Sequence, residues 1–228
     1  MTTTDFPQPP RGKTQYVYEW LRDRIMSGAM RPGEPIRQDA IAKQLGVSAT
    51  PVREAFRQLE SVGLISHTDN LGAAVSDLSD EEIEEVYLLR GAMEGLAAGL
   101  AAQRRSESDL VRLRQTLDEA ESLSSQDYDA GRLAKLSREF HDEVSRIGSP
   151  AVIAPRVQQL WWRFPVPRST SLWSDRALAR TFLDAHRDIL AALERGDSGA
   201  AERLTRDHVH STGRTRRDRA AGDTQPPR

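Results

Sequence analysis

Between Thr14 and Gly28 the apolar residues Val17, Trp20, Leu21 and Ile25, with Met26 beside them, recur every three to four positions. That is the period of a helix with one buried face. Arg31-Pro32-Gly33-Glu34-Pro35 breaks the pattern and reads as a turn. A second helix is predicted from Gln38 to Leu45, with Ile41, Ala42 and Leu45 facing inward. The stretch from Leu45 to Glu60 then reads as the turn and second helix of a helix-turn-helix. Gly46 stands where one helix must stop, because glycine tolerates a positive φ. Ser48 or Thr50 caps the next helix, and Pro51 belongs in its first turn, where a missing N–H costs nothing. Val52, Ala55, Phe56 and Leu59 form its inward face, which leaves Thr50, Arg53 and Arg57 on other sides. Gly63 ends the helix, Leu64–His67 reads as a strand, Thr68–Gly72 as a turn and Ala73–Val75 as the return strand. Three helices and a hairpin make a winged helix-turn-helix, the hairpin being the wing.

Ser76-Asp77-Leu78-Ser79-Asp80-Glu81-Glu82 is polar and ends in a capping pattern, Ser79 followed three residues later by Glu82. Beyond it the periodicity predicts helices over 80–103, 106–124, 127–147, 150–163, 172–195 and 197–212, with no convincing alternation of period two. The fold class is therefore mostly α: a winged helix-turn-helix followed by an all-α antiparallel bundle. The predicted organisation is a disordered tail at 1–12, the DNA-binding domain at 13–76, a linker at 77–79, the helical domain at 80–212 and a disordered basic tail at 213–228.

Composition narrows the class. The 228 residues include no cysteine, so there is no disulfide framework and no thiolate nucleophile or ligand. No apolar run approaches the roughly 20 residues that span a bilayer, and the first residues lack the layout of a signal peptide; the expected location is cytoplasmic, with no membrane partner. A net charge of -2 argues against nonspecific coating of nucleic acid. Residues 11–76 hold nine Lys and Arg against seven Asp and Glu, which predicts a modest salt dependence of DNA binding. Arg214, Arg216, Arg217 and Arg219 could touch DNA but read first as a solvated end.

The candidate chemistry lies in two places. Ser48, Thr50, Arg53 and Arg57 are placed to meet phosphates or base edges, although Ser48 also serves as a cap and Arg53 as an ion-pair partner. In the second half, His141, His186 and His208 fall on three different predicted helices. Facing helices are how bundles build metal sites, and imidazoles suit Zn²⁺ or Ni²⁺. His210, two residues from His208, points to another side of its helix and is expected at the surface. His67 sits in the wing. Arg90 either binds a carboxylate of an effector or pairs with Glu94 one turn on. Trp161, Trp162 and Phe164 are expected to pack the bundle or a dimer interface, although one of them could line a pocket. Leu88, Leu89, Met93, Leu96 and Leu100 form an apolar stripe for the core, a dimer, or both.

With these segments in order, the chain resembles the GntR family of bacterial transcriptional regulators, and within it the FadR-type branch with an FCD effector domain. The resemblance runs from about residue 14 to 212. It rests on Ile25-Met26-Ser27-Gly28, Arg31-Pro32-Gly33-Glu34, Gly46-Val47-Ser48 through Glu54-Ala55, and Leu59 through Ile65, then on Leu89 through Glu94, Phe140-His141 and Ala185 through Leu193.

The resemblance implies a homodimer on a pseudo-palindromic double-stranded operator, with phosphate contacts from Ser48 and Thr50, a base or phosphate contact from Arg53, and close groove approach at Gly72. It implies that His141, His186 and His208 ligate a divalent metal and that small organic or sugar acids bind at it. Two positions depart from the family pattern at the DNA: Ala49 and Leu71 stand where arginines are common. A third, Ser137, stands where an aspartate ligand is usual, which puts the metal in question.

The function expected is a ligand-responsive DNA-binding regulator, not an enzyme, and by default a repressor released by a small carboxylate. Ligand would favour one placement of the paired DNA-binding domains over another. Two rival readings are a metal-dependent hydrolase built on the three histidines and a DNA-binding dimer insensitive to ligand.

Overall fold

The computed structural model describes residues 12–68, 72–162 and 172–223. The chain divides into two compact units, at Asp77/Leu78. The tail expected at 1–12 lies outside the described residues except for Gly12.

The first unit opens with α1 (Lys13–Met26), whose Val17, Leu21 and Ile25 sit at i, i+4 and i+8 and are fully buried. They pack on α3 (Ala49–Ser61), where Val52, Ala55, Phe56 and Leu59 are all buried, as the periodicity requires. Between them α2 (Gln38–Leu45) ends at Gly46, which takes the left-handed conformation at φ 64°. Only Ile41 of its inward-facing trio is buried; Ala42 and Leu45 are half-exposed. Ser48 occupies the N-cap position of α3 with extended backbone, but its side chain makes no capping bond.

The wing differs from expectation by one strand. β2 (Ile65–Thr68) and β3 (Gly72–Val75) pair antiparallel with Ile65 opposite Val75, and β1 (Pro35–Ile36) adds to the far side of β3, Pro35 opposite Ala74. The sheet order is β1-β3-β2. Pro35, expected in a turn, joins the sheet instead. A two-residue strand carries no alternation to announce it, and proline is tolerated there because β1 is an edge.

In the second unit α4 (Asp80–Arg104) starts on the predicted capping box: Glu82 N–H donates to Ser79 Oγ and Ser79 N–H to Glu82 Oε2. Next come α5 (Glu107–Ser125), α6 (Ala130–Gly148), α7 (Ile153–Trp162), α8 (Arg176–Arg195) and α9 (Ser198–Asp223). Leu113, Leu133, Leu136, Phe140, Phe182, Ile189 and Leu193 fill the main core. The helix α4 touches α6, α7, α8 and α9. It lies close to α9 because Gly91, Gly95 and Gly99 face that helix at i, i+4 and i+8; a Cβ on Gly95 would stand 2.9 Å from the Glu202 carbonyl oxygen.

The structure narrows one expectation and corrects another. Of the stripe on α4, Leu88, Leu89 and Leu96 stay out of the core, each about half-exposed at 51%, 50% and 49%, while Met93 and Leu100 are half-buried. The segment 213–228 does not begin as a disordered tail, since α9 runs on to Asp223. Its arginines find acids on other elements: Arg217 pairs with Glu84 on α4 at 2.6 Å, Arg219 pairs with Asp175, and Arg216 is buried. Gly213 sits against Tyr87, where a Cβ would fall 2.7 Å from the Tyr87 side chain. A polar, basic sequence looks solvated only until its partners, more than a hundred residues away for Glu84, are known.

Candidate functional site

Two surfaces carry the chemistry, one in each unit. On α3 the inward face leaves Ala49, Thr50, Arg53, Glu54, Arg57 and Gln58 as one continuous exposed face, with Ser48 exposed at its head. The Ser48 hydroxyl and the first-turn N–H groups are thus available to an anion, and the helix dipole favours one there. Arg57 pairs with Glu54 at 3.2 Å, both ends exposed, a contact worth little in water. Arg53 makes no ion pair among the described residues, so its alternative reading as an ion-pair partner is not realised. Gly72 is exposed at φ 78°, a conformation that side chains resist. Leu71 lies outside the described residues. His67 is exposed in the wing, its Nδ1 3.7 Å from Glu60 Oε1.

In the helical unit, α6, α8 and α9 bring His141, His186 and His208 together, with one nitrogen of each within 4.8 Å of the others. His141 and His186 are buried, and their Nε2 atoms lie 3.1 Å apart. His208 keeps partial exposure as a residue while its ring stacks on His141, 5.3 Å between centroids and 7° between planes. Phe140 and Trp173 wall the group, with ring centroids 4.9 and 6.4 Å from His186. Ring nitrogens sharing one tetrahedral ion at about 2.0–2.1 Å would stand roughly 3.3 Å apart, so the His141–His186 pair already fits. Burial holds His186 and His208 neutral: desolvation first, then the neighbouring imidazoles, push His186 well below its ordinary pKa, and desolvation pushes His208 to about 3. Neutral imidazole is the metal-binding form.

The histidines do not stand alone. Glu94, on α4 and 1% exposed, sets Oε2 2.9 Å from His141 Nδ1, and its Oε1 accepts a 2.8 Å bond from Arg90 Nε. Burial alone would raise the Glu94 carboxyl, but the Arg90 guanidinium and the contact with His141 outweigh it and hold it well below the usual carboxylate range. Arg90 is itself 2% exposed, with its guanidinium 3.5 Å from the Trp161 ring centroid and 5.0 Å from that of Tyr87. Arg90 pairs with Glu94, as one of its two readings has it, and it also lines the pocket that reaches His141 and His208. Ser137, one turn before His141, lines the same pocket and is buried, so no carboxylate stands at that position.

Of the aromatic residues of which one could line a pocket, Trp161 does so, and Trp162 is half-exposed. Phe164 lies outside the described residues. His210 is not part of the cluster; its Nε2 lies 3.2 Å from the Leu88 carbonyl oxygen. Sequence reasoning finds Glu94 only as a mate for Arg90. The available signal is a pair of opposite charges inside an otherwise apolar stretch of α4, and it does not say that a histidine on α6 is the third member.

A winged helix-turn-helix joined to a helical bundle that gathers polar groups around an enclosed pocket defines a DNA-binding regulator with an effector domain. Residues 13–75 match the model described as bacterial regulatory proteins, gntR family, and residues 85–211 match the FCD domain. The chain belongs to the GntR family and is a transcriptional regulator of its FCD-containing branch. It is 32% identical over 85% of its length, and 84% of the relative's, to the probable D-xylose utilization operon transcriptional repressor of Paenarthrobacter nicotinovorans. It is 33% identical to the HTH-type transcriptional regulator YdhC of Bacillus subtilis (strain 168) over 55% of this chain and 56% of that protein. The structure of E. coli McbR/YncC shares the fold, with a TM-score of 0.76 over 92% of this chain and 99% of that one at 23% identity. Among the described residues no helix is long and apolar enough to cross a membrane.

Proposed function

We propose that this regulator is a cytoplasmic homodimeric repressor, released from operator DNA by a small organic or sugar acid that binds beside a divalent metal ion. The observation that carries the reading is the convergence of His141, His186 and His208 on three helices, with a buried carboxylate behind one of them. Zn²⁺ or Ni²⁺ suits a neutral, all-imidazole donor set. With Ser137 in place of an acid, the three histidines leave coordination positions for water or an effector carboxylate. Arg90 and Trp161 line that approach, and a guanidinium matches a carboxylate. The exposed leucines of α4 offer a face to a second copy of the chain.

Effector binding can shift DNA affinity only as far as its own affinity differs between the competent and released arrangements. A hydrolase is the weaker reading. Glu94 is committed to Arg90 and His141, and Asp142 stands 3.8 Å from Arg138, so neither is poised as a general base.

Two measurements test the two ends of this switch. Elemental analysis of the purified protein should find about one equivalent of Zn or Ni per chain, lost in His186→Ala; metal-free protein that still responds to an acid would sink the metal-bridged reading. Arg53→Ala should weaken operator binding by roughly 5- to 100-fold, the range for one lost bidentate base contact. Its dimer should stay intact by light scattering. Unchanged affinity in a fluorescence titration would remove Arg53 from the interface.

A further inference from the structure

We infer that Glu94 is the positioning residue of the histidine centre: it fixes His141 with its proton on Nδ1, so that the Nε2 lone pair faces His186 and His208. The inference rests on the metal-centre reading above and adds a residue that comes from none of the three histidine-bearing helices.

Four observations carry it. His141 presents its two ring nitrogens to different partners, Nδ1 to Glu94 Oε2 at 2.9 Å and Nε2 to His186 Nε2 at 3.1 Å. A carboxylate oxygen at that distance demands a donor, so the proton belongs on Nδ1. Glu94 Oε2 is buried and makes no in-line hydrogen bond, and its 2.9 Å contact with His141 Nδ1 is the one ion-pair contact it has among the described residues. The opposite oxygen accepts a 2.8 Å bond from Arg90 Nε, which fixes the rotation of the carboxylate. Finally, the helices are built to make this contact. Gly148 at the end of α6 meets α4 at Ala97, so closely that a Cβ there would fall 2.0 Å from the Ala97 carbonyl oxygen. That approach lies about one turn along α4 from Glu94.

A buried carboxylate is costly unless it is paired and put to use. An acceptor behind a ligating imidazole sets its tautomer, orients its ring and raises its basicity. Glu94 also returns to the centre part of the negative charge that Ser137 does not supply. Because Arg90 both holds Glu94 and lines the pocket, an acid that engages Arg90 also acts on His141.

The test uses the full chain. In metal-stripped protein at pH 8, long-range ¹H–¹⁵N correlation should show His141 protonated on Nδ1 in the wild type. Competition for Zn²⁺ against a chromophoric chelator should show a 10- to 100-fold loss of affinity in Glu94→Gln. Glu94→Asp, which restores the charge at a longer distance, should recover part of that loss. A proton on His141 Nε2 alone, or equal Zn²⁺ affinity in wild type and Glu94→Gln, overturns the role. The tautomer is read on wild-type protein, so a variant that fails to fold leaves it decided. If wild-type protein takes up no Zn²⁺ or Ni²⁺ while His141 carries its Nδ1 proton, the metal reading fails and the positioning of His141 by Glu94 stands.

Discussion

Metal-stripped protein is expected to lose stability steeply as the pH falls below about 6.5. His186 and His208 are both held neutral by burial, the former well below its ordinary pKa and the latter at about 3. Well above pH 6.5 both are neutral whether the chain is folded or not, and they contribute no pH dependence. Below it the unfolded chain binds protons that the folded one refuses, so stability falls with pH until the folded-state pKa is reached. Each histidine costs about 1.4 kcal/mol per pH unit across that window. Between pH 6.5 and pH 5 His208 alone removes about 2 kcal/mol and His186 adds a loss of the same sign, against the roughly 5–15 kcal/mol that holds a typical domain.

Glu94 continues the trend at lower pH. Its carboxyl is held below the usual range, so its contribution is lost as the pH drops under about 4.5. Asp142 acts oppositely, because burial raises its pKa and protonation relieves it. Urea unfolding followed by helical circular dichroism at pH 8, 6.5 and 5 reads this directly. His208→Gln should flatten the slope, and bound Zn²⁺ should oppose it. A wild-type stability that is flat from pH 6.5 to 5 would refute the buried histidines as the cause.

The second large effect is expected from a single methyl group. Gly148→Ala places a Cβ 2.0 Å from the Ala97 carbonyl oxygen and 2.8 Å from its carbon. Both are backbone atoms, so no rotamer change relieves the clash; α6 must back away from α4. Overpacking of this kind costs about 1–3 kcal/mol when side chains can yield, and for a backbone clash the upper end applies. A loss of about 3 kcal/mol lowers the melting temperature of a chain this size by roughly 6–12 °C. Since α6 carries His141 toward Glu94, Zn²⁺ affinity should fall in the same variant. Gly199→Ala is the control. Its Cβ would meet nothing nearer than Asp197 Oδ1 at 3.9 Å, in an exposed first helical turn, and the change should be neutral or slightly stabilising. Equal melting temperatures for the two variants would show that the α4–α6 approach is not tight.

Residues close together in sequence were the legible ones. Gly46 at φ 64°, Pro51 in the first turn of α3 and the Ser79–Glu82 capping box all follow from local backbone chemistry. The buried run Val52, Ala55, Phe56, Leu59 follows from helical periodicity, and the exposed face with Arg53 is what that periodicity leaves over. Even the three histidines stood out, because each fell on a separate helix.

What the pattern could not supply was pairing across distance. Whether Pro35–Ile36 joins a sheet depends on where β3 passes. Whether Arg217 is solvated depends on Glu84, 133 positions away. The half-exposed Leu88 and Leu89 have the same apolar signature as core residues, and only the packing of α4 on its neighbours shows which face it buries. Glu94 is the sharpest case. Its spacing from Arg90 announces an ion pair, whereas its distance from His141 is created by the glycine contact between α4 and α6. The sequence by itself determined the winged helix-turn-helix, the exposed side of α3 and the candidate ligands, because period and capping are local. The tertiary structure alone decided that the ligands converge and that a buried carboxylate stands behind one of them, because such distances belong to helix packing.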